Sequence, residues 1–268
     1  MMMRGASAEA LADLQDRLRQ ALGSADAARV GDDLFGVATV LRSEAGLRRV
    51  ATDVSTDAEA KVGLVRSIFE GKVDAVSLDL VAEAVRRRWT ATRDLPDTLE
   101  RLSEEAVVRS AGSEVSRVID ELFTVTQAVQ HNPDLRDTLA DQARSVEDRA
   151  GLVDGLLGST ALPATVTLVK QSLGGGYRSV TVALQEYQKV AAAVQDERVA
   201  EVRTAHPLAD GDRERLEQAL SRQYGRDVHL NVVVDPSLLG GLRVEIGDDV
   251  IDGTVVARLD QARRKLAG

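Results

Sequence analysis

Residues 34–65 read LFGVATVLRSEAGLRRVATDVSTDAEAKVGLV, and residues 122–153, 88 positions further on, read LFTVTQAVQHNPDLRDTLADQARSVEDRAGLV. The two stretches align without a gap. Leu34-Phe35 falls on Leu122-Phe123, Val37 on Val125, Leu47-Arg48 on Leu135-Arg136, Asp53 on Asp141, Glu59 on Glu147, and Gly63-Leu64-Val65 on Gly151-Leu152-Val153. The same shift carries outward, placing Leu11 and Leu14 on Leu99 and Leu102, Leu80-Val81 on Leu168-Val169, and Trp89 on Tyr177. These matches occupy positions that helical periodicity assigns to helix cores, and self-similarity at one constant spacing marks a tandem repeat. The chain therefore reads as a duplicated helical domain of roughly ninety residues.

The elements of the first copy follow from periodicity and end signals. Ser7 stands as an N-cap ahead of Leu11, Leu14, Leu18 and Leu22, and Gly23 stands where a helix end favours a left-handed residue, which predicts a helix over 7–22. Further helices are predicted over 26–42, around Leu47, over 56–69 with Thr56 and Glu59 as a capping box, and over 74–89. Pro96 suits the first turn of a helix that starts near Leu95 and continues through Leu99, Leu102, Ala106 and Val107. After the breakers Gly112 and Ser113 a second apolar stretch runs through Val118, Leu122, Phe123 and Val129.

Beyond the second copy the pattern changes. A helix over 178–196 is followed by alternating residues over 199–205, a helix capped by Asp210 or Asp212 and stopped at Gly225, and apolar runs over 228–234, 242–246 and 250–251. A last helix is predicted over 254–266. The fold class is thus mainly α with a small α+β C-terminal domain, two tandem helical bundles followed by a strand-helix-meander-helix module. The domains are 1–110 for the first bundle, 95–198 for the second, which shares the 95–110 helix, and 199–268 for the module.

Composition agrees. At 268 residues the chain is long for one core, and an aromatic content of 3% beside 44% hydrophobic residues suits aliphatic helical bundles. A net charge of −9 argues against nucleic acid or anionic lipid as a partner, and the absence of cysteine excludes disulfides and thiolate chemistry. The Met1-Met2-Met3-Arg4 start has no apolar signal core, and the uncharged stretch from Gly155 to Val169 is too short to span a bilayer, so a cytosolic protein with only indirect membrane contact is expected.

Motifs for chemistry are sparse. His131, His206 and His229 stand at no metal-ligand spacing and read as surface or structural residues. Gly174-Gly175-Gly176 superficially suggests a phosphate loop, but no Lys-Ser or Lys-Thr follows it. Because the run replaces Arg86-Arg87-Arg88 of the first copy, a helix end and inter-helix turn is the better reading. The Arg run, with Trp89 beside it, reads as a charge match at a helix C-terminus. Asp248, Asp249, Asp252 and Gly253 lack the spacing of a calcium loop and read as a hairpin turn plus an N-cap. No catalytic, cofactor or metal residues are assigned.

One segment is more specific: Val202-Arg203-Thr204-Ala205-His206-Pro207-Leu208, Gly225-Arg226-Asp227-Val228, then Val234 through Val255 with DPSLLGGL and IGDDVIDG, closing on Arg258-Leu259. It resembles the C-terminal signature of the delta subunit of bacterial F-type ATP synthase, the relative of the mitochondrial oligomycin sensitivity-conferring protein. The duplicated helical domain departs from the usual single copy and is an arrangement associated with actinobacterial delta subunits. The resemblance implies a non-catalytic F1-sector subunit of the peripheral stalk, or stator, of the proton-translocating enzyme. It would be present in one copy, linking the alpha-subunit N-terminal segment to the membrane-anchored b subunits at the cytoplasmic face of the plasma membrane. No cofactor is implied.

Within it, helices 7–22 and 74–89 would form the groove for the alpha segment, unless their apolar positions only fill the core, and 199–268 would meet b. Asp235-Pro236, Gly240-Gly241, Gly247 and Asp252 read as backbone and capping residues. A helical adaptor unrelated to ATP synthase, or a nucleotide- or RNA-binding enzyme using 174–178, are the competing readings.

Overall fold

A computed structural model describes residues 3–195, 198–225, 227–247 and 249–255. It divides into two compact units, 1–190 and 191–268. In chain order the helices are α1 (Ala6–Ala21), α2 (Ala27–Ser43), α3 (Ala45–Thr52), α4 (Ala58–Phe69), α5 (Ala75–Arg86) and α6 (Asp94–Ser110). A short 3-10 turn (Gly112–Glu114) leads to α7 (Val115–His131), α8 (Pro133–Ala140), α9 (Val146–Leu157), α10 (Pro163–Gln171) and α11 (Val180–Val194). The mainly helical class with a small α+β end is the one read from the sequence.

The repeat is visible in the element bounds. Shifting α2, α3 and α4 by 88 residues lands on both ends of α7, α8 and α9, and the starts of α1 and α5 land on those of α6 and α10. Caps follow the same offset. The Asp57 carboxylate accepts from the Glu59 and Ala60 amides at the head of α4, and Ser145, 88 positions on, accepts from the Asp148 amide at the head of α9. Asp26 caps α2, Asp74 caps α5, and Asn132 caps α8 with Pro133 in the first turn.

Leu14, Leu18, Leu34, Leu41, Val65, Val81 and Val85 are fully buried in the core of α1 to α5. Leu95, Leu99, Leu102 and Ala106 of α6 belong to that same core. Yet α6 stands at the repeat position of α1, and its Val107 and Val108 are buried as well. This helix has almost no solvent face, which in a water-soluble bundle marks a central element.

Several local expectations give way to tertiary demands. The residue before α1 is Gly5, not Ser7; Ser7 is buried, donates to Asp94 Oδ2 at 2.7 Å and accepts from the Thr90 amide at 2.8 Å. Helix α1 ends at Leu22 in right-handed conformation, so Gly23 supplies no left-handed cap. Thr56 gives its hydroxyl to Asp53 and leaves the capping of α4 to Asp57. Helix α5 stops at Arg86, and Trp89 turns back to donate from Nε1 to the Ala84 carbonyl at 3.0 Å. The helix expected over 178–196 spans Val180–Val194.

The second unit contains β1 (Arg198–Thr204), α12 (Asp210–Tyr224), β2 (Val228–Val234), β3 (Leu242–Ile246) and β4 (Asp249–Asp252). The sheet order is β2-β1-β3-β4, with β1 parallel to β2 and antiparallel to β3, so α12 is the crossover that parallel pairing requires. Ala200, Val202, Val228, Leu230, Val244 and Ile246 form its core with Leu220, and Leu216 and Tyr224 pack against it. Ala209 rather than Asp210 or Asp212 holds the N-cap of α12, the two aspartates lying in the first turn where the helix dipole favours them. Gly225 ends α12 at φ 68°, as read from the sequence. Asp235 accepts from Ser237 to close the 235–238 turn, and Asp252 accepts from the Thr254 amide. The helix expected over 254–266, with Arg258 and Leu259, lies outside the described residues beyond Val255, as do Arg226 and Asp248.

Candidate functional site

The sequence of α6, DLPDTLERLSEEAVVRS, carries Glu100, Glu104 and Glu105, which are 3%, 0% and 6% exposed. Three buried carboxylates on one helix are tolerated only if each has partners, since an unpaired buried charge costs several kcal/mol. Each has them, and from different elements. Glu100 pairs with Arg42 of α2 and accepts from the Gly176 amide at 3.0 Å with both oxygens. Glu104 pairs with Arg101 at 3.1 Å and accepts from the Tyr177 hydroxyl at 2.8 Å. Glu105 pairs with Arg109 at 2.9 Å and accepts from Gln15 Nε2 of α1 at 3.1 Å.

The glycine run thus has a purpose that its local sequence does not show. A Cβ at Gly176 would lie 2.8 Å from Glu100 Oε2 and 2.9 Å from Arg42 Nη2, and one at Gly175 would sit on the Glu100 carboxylate and 3.1 Å from the Gln171 carbonyl. The backbone cradle that an anion could have used is filled by the chain's own Glu100, which removes the phosphate-loop reading and with it the nucleotide- or RNA-binding alternative at 174–178. As a helix end the run is also displaced, because α10 stops at Gln171 and is capped at Ser172. Tyr177 packs edge-on to the buried Tyr187, ring centroids 5.7 Å apart.

Burial, first, and the neighbouring Glu100 push the Glu104 carboxyl up to about 7, against the pull of Arg101 and the Tyr177 hydroxyl. Burial likewise raises Glu100, with Arg42 and the Gly176 amide opposing it. Tyr177 is raised by burial and then by Glu104.

The two copies present the same seam differently. Between α1 and α5, Arg17 Nη1 lies 3.4 Å from Glu83 Oε2, and Arg87 pairs with Asp13 and Glu83. These side chains are between 23% and 47% exposed. Their counterparts 88 residues on are Glu105 for Arg17, Gln171 for Glu83, Gly175 for Arg87 and Arg101 for Asp13. There the seam between α6 and α10 is crossed by α2: the Ser103 hydroxyl donates to the Gly31 carbonyl at 2.7 Å and lies 3.3 Å from Gln171 Oε1, while Asp32 feels the charge of Lys170.

The apolar residues of α1 and α5, Leu14, Leu18, Leu80 and Val81, point into the core, with Leu11 only partly buried. Arg86 reaches Glu59 and Glu83. Sequence reasoning found the Arg run and the Gly run but missed Glu100, Glu104 and Glu105; the available signal was that a helix shared by two bundles has no solvent face in which to place them.

His131 is exposed and its Nδ1 contacts the Gln127 carbonyl, His206 is exposed, and His229 is buried on β2. Among the described residues no His, Asp and Glu cluster could hold a metal, and no helix is long and apolar enough to cross a membrane.

The model of the ATP synthase delta (OSCP) subunit family matches residues 104–266, from the middle of α6 onward. An "ATP synthase subunit delta" of Nocardioides sp. is 57% identical over 270 residues, covering 99% of this chain and 98% of that protein. Proteins of the same name from Kineococcus radiotolerans and Streptomyces griseus subsp. griseus are 44% and 40% identical, covering 91% and 99% of this chain and 90% and 100% of theirs. The match therefore extends over both helical copies and the C-terminal sheet, which sets aside an adaptor unrelated to ATP synthase, and the chain belongs to the ATP synthase delta (OSCP) subunit family as a subunit of that complex.

Proposed function

We propose that the chain is a non-catalytic, peripheral stator subunit that links the alpha-subunit N-terminal segment of the catalytic head to the b subunits, with the first helical copy, 1–110, holding the alpha contact. The duplication unit is read as a six-helix bundle in which α6 closes the first copy and opens the second, 95–198. The observation that carries the choice of copy is the contrast between the two seams. In the first copy Asp13, Arg17, Glu83 and Arg87 line an α1/α5 seam open to solvent. In the second, the corresponding α6/α10 seam is crossed by α2 at Gly31 and Ser103. A partner segment laid along a helix pair needs an open face.

The b contact is assigned to 199–268, where Val234, Leu239 and Val255 remain exposed, Leu239 at 80%. These residues adjoin the 235–241 turn, since the Val255 amide donates to the Gly240 carbonyl. Membrane attachment is then indirect, through b.

Charge reversal tests the alpha assignment. Arg17→Glu places a third carboxylate beside Asp13 and Glu83, and binding of the full chain to the isolated catalytic head is expected to weaken at least about tenfold, ~1.4 kcal/mol. Arg136→Glu on exposed α8 is the matched control and should bind as the parent does. Equal affinity for Arg17→Glu and the parent would refute the assignment to the first copy.

A further inference from the structure

Glu104 and its neighbours draw together elements of both copies, and a cavity opens beside them. The cavity, about 360 Å³, is bounded by Leu11 and Gln15 of α1, by Glu100 and Arg101 of α6, and by Gly176 and Tyr177. It brings water to the edge of a cluster that is itself dry, Glu104 being 0% exposed. The loop over the cluster is held down by three contacts: the Gly176 amide on Glu100, the Tyr177 hydroxyl on Glu104, and the Tyr177 ring on Tyr187. Two of these end on carboxylates. We propose that the 174–177 loop, α6 and Arg42 of α2 form a proton-controlled joint between the two helical copies, closed when Glu104 carries a proton and progressively released when it ionises.

The sign follows from linkage. In the closed joint burial holds the Glu104 carboxyl up to about 7, whereas in a joint opened to water it returns toward the ordinary value of 4.5. The closed form therefore binds the proton more tightly, so its advantage over the open form is complete below the ordinary value and is lost as pH rises to about 7, beyond which it stays constant. The groups facing Glu104 are Arg101 and Glu100 on its own helix and Tyr177 from the loop. Behind them stand Arg42 of α2 and Asp97 of α6 at Glu100, Glu186 of α11 at Arg101, and Tyr187 of α11, which senses both glutamates. Burial raises Glu100 as it does Glu104, whereas it carries the Tyr177 and Tyr187 hydroxyls further from neutrality and Lys189 holds Glu186 low, so the response near pH 7 belongs to the Glu104–Glu100 pair.

Tenfold per pH unit between 4.5 and about 7 makes the full swing in the opening equilibrium about 300-fold, of which about thirtyfold falls between pH 5.5 and 8. The test is hydrogen–deuterium exchange of the 173–178 amides in the full-length protein across that range, corrected for the intrinsic pH dependence of exchange and referenced to the β1–β3 amides. The expected result is a thirtyfold loss of protection as pH rises, levelling off above about pH 7, where the opening constant has its midpoint, and absent in Glu104→Gln. Tyr177→Phe, which removes a bond that favours the ionised form, should move the midpoint up. Glu100→Gln, which removes a like charge, should move it down. Flat protection in the parent, or a response unchanged in Glu104→Gln, overturns the proposal. If Glu104→Gln does not fold, midpoints that fail to move in opposite directions in the other two variants overturn it equally.

Discussion

Helix α2 contains two glycines five residues apart that see opposite surroundings, and the pair isolates how closely α2 is seated on α6. A Cβ on Gly31 would meet Val107 Cγ2 at 2.5 Å, the Val107 amide nitrogen at 3.2 Å and the Ser103 carbonyl oxygen at 3.3 Å; a Cβ on Gly36 would meet nothing within 4 Å. Both lie within Ala27–Ser43, so Gly→Ala gives each about 1 kcal/mol of helix propensity. That term cancels between them. Gly36→Ala should therefore gain about 1 kcal/mol, which for a unit of this size raises Tm by roughly 2–4 °C.

At Gly31 the added methyl meets one side-chain atom that can rotate and two backbone atoms that cannot, so the helices must separate by a few tenths of an ångström. Overpacking of this kind costs ~1–3 kcal/mol. The separation also stretches the 2.7 Å bond from the Ser103 hydroxyl to the Gly31 carbonyl, which contributes about 1 kcal/mol. Net of propensity, Gly31→Ala should lose about 1–3 kcal/mol, leaving a gap of ~2–4 kcal/mol between the variants. Urea unfolding followed by helical circular dichroism measures it. If both variants gain stability alike, α2 does not rest on α6 at Gly31, and the covering of the α6/α10 seam falls with it.

Other substitutions probe the repeat and the C-terminal unit. Asp26→Ala removes a carboxylate that accepts from the Ala28 and Arg29 amides and should cost about 1 kcal/mol, while Glu114→Ala, at the matching position ahead of α7, makes no cap bond and should be neutral in the same urea assay. Gly241→Ala should destabilise the C-terminal unit by about 2 kcal/mol or more, because φ is 83° and the new Cβ would lie 2.5 Å from the Gly253 carbonyl; exchange of the β3 amides reads it, and unchanged protection would contradict the placement of the 240–241 turn against Gly253.

The parts of this fold that were legible in the sequence are those governed by short-range rules or by self-comparison. Helix bounds repeat at 88 because the apolar spacing repeats at 88, and Gly225 ends α12 because nothing else competes for it. Misreadings occur where a long-range partner claims the residue. Ser7 has the chemistry of a cap, but Asp94 and the Thr90 amide, 87 and 83 residues away, take its hydroxyl. Thr56 is drawn off by Asp53, and Asp57 next to it takes the cap. The Gly174-Gly175-Gly176 run looks like a loop signal because its reason for being small, Glu100, is 76 residues from Gly176. Local statistics weigh a residue against its neighbours in sequence, and at these positions the deciding neighbour is elsewhere.

The same logic explains how the copies diverged at matched positions. In α1, Asp13 and Arg17 face solvent, and long charged side chains from α5 can pair across them with little desolvation. Repeating that helix as α6 and covering it with α2 turns the same positions into interior ones, where a free guanidinium at 175 would displace Glu100. The second copy accordingly carries Gly175 in place of Arg87 and Gln171 in place of Glu83, reversing Asp13 to Arg101 and Arg17 to Glu105 so that each charge finds a partner within reach on α6 itself: Glu104 for Arg101 and Arg109 for Glu105. Buried pairs of this kind add little net stability over an apolar core, but each admits only one arrangement of its neighbours. For the stator role proposed above, in which force passes between two partners, that restriction counts for more than additional stability. On the same proposal the seam of the first copy keeps its exposed charges because there a partner, not a second copy, is to be met.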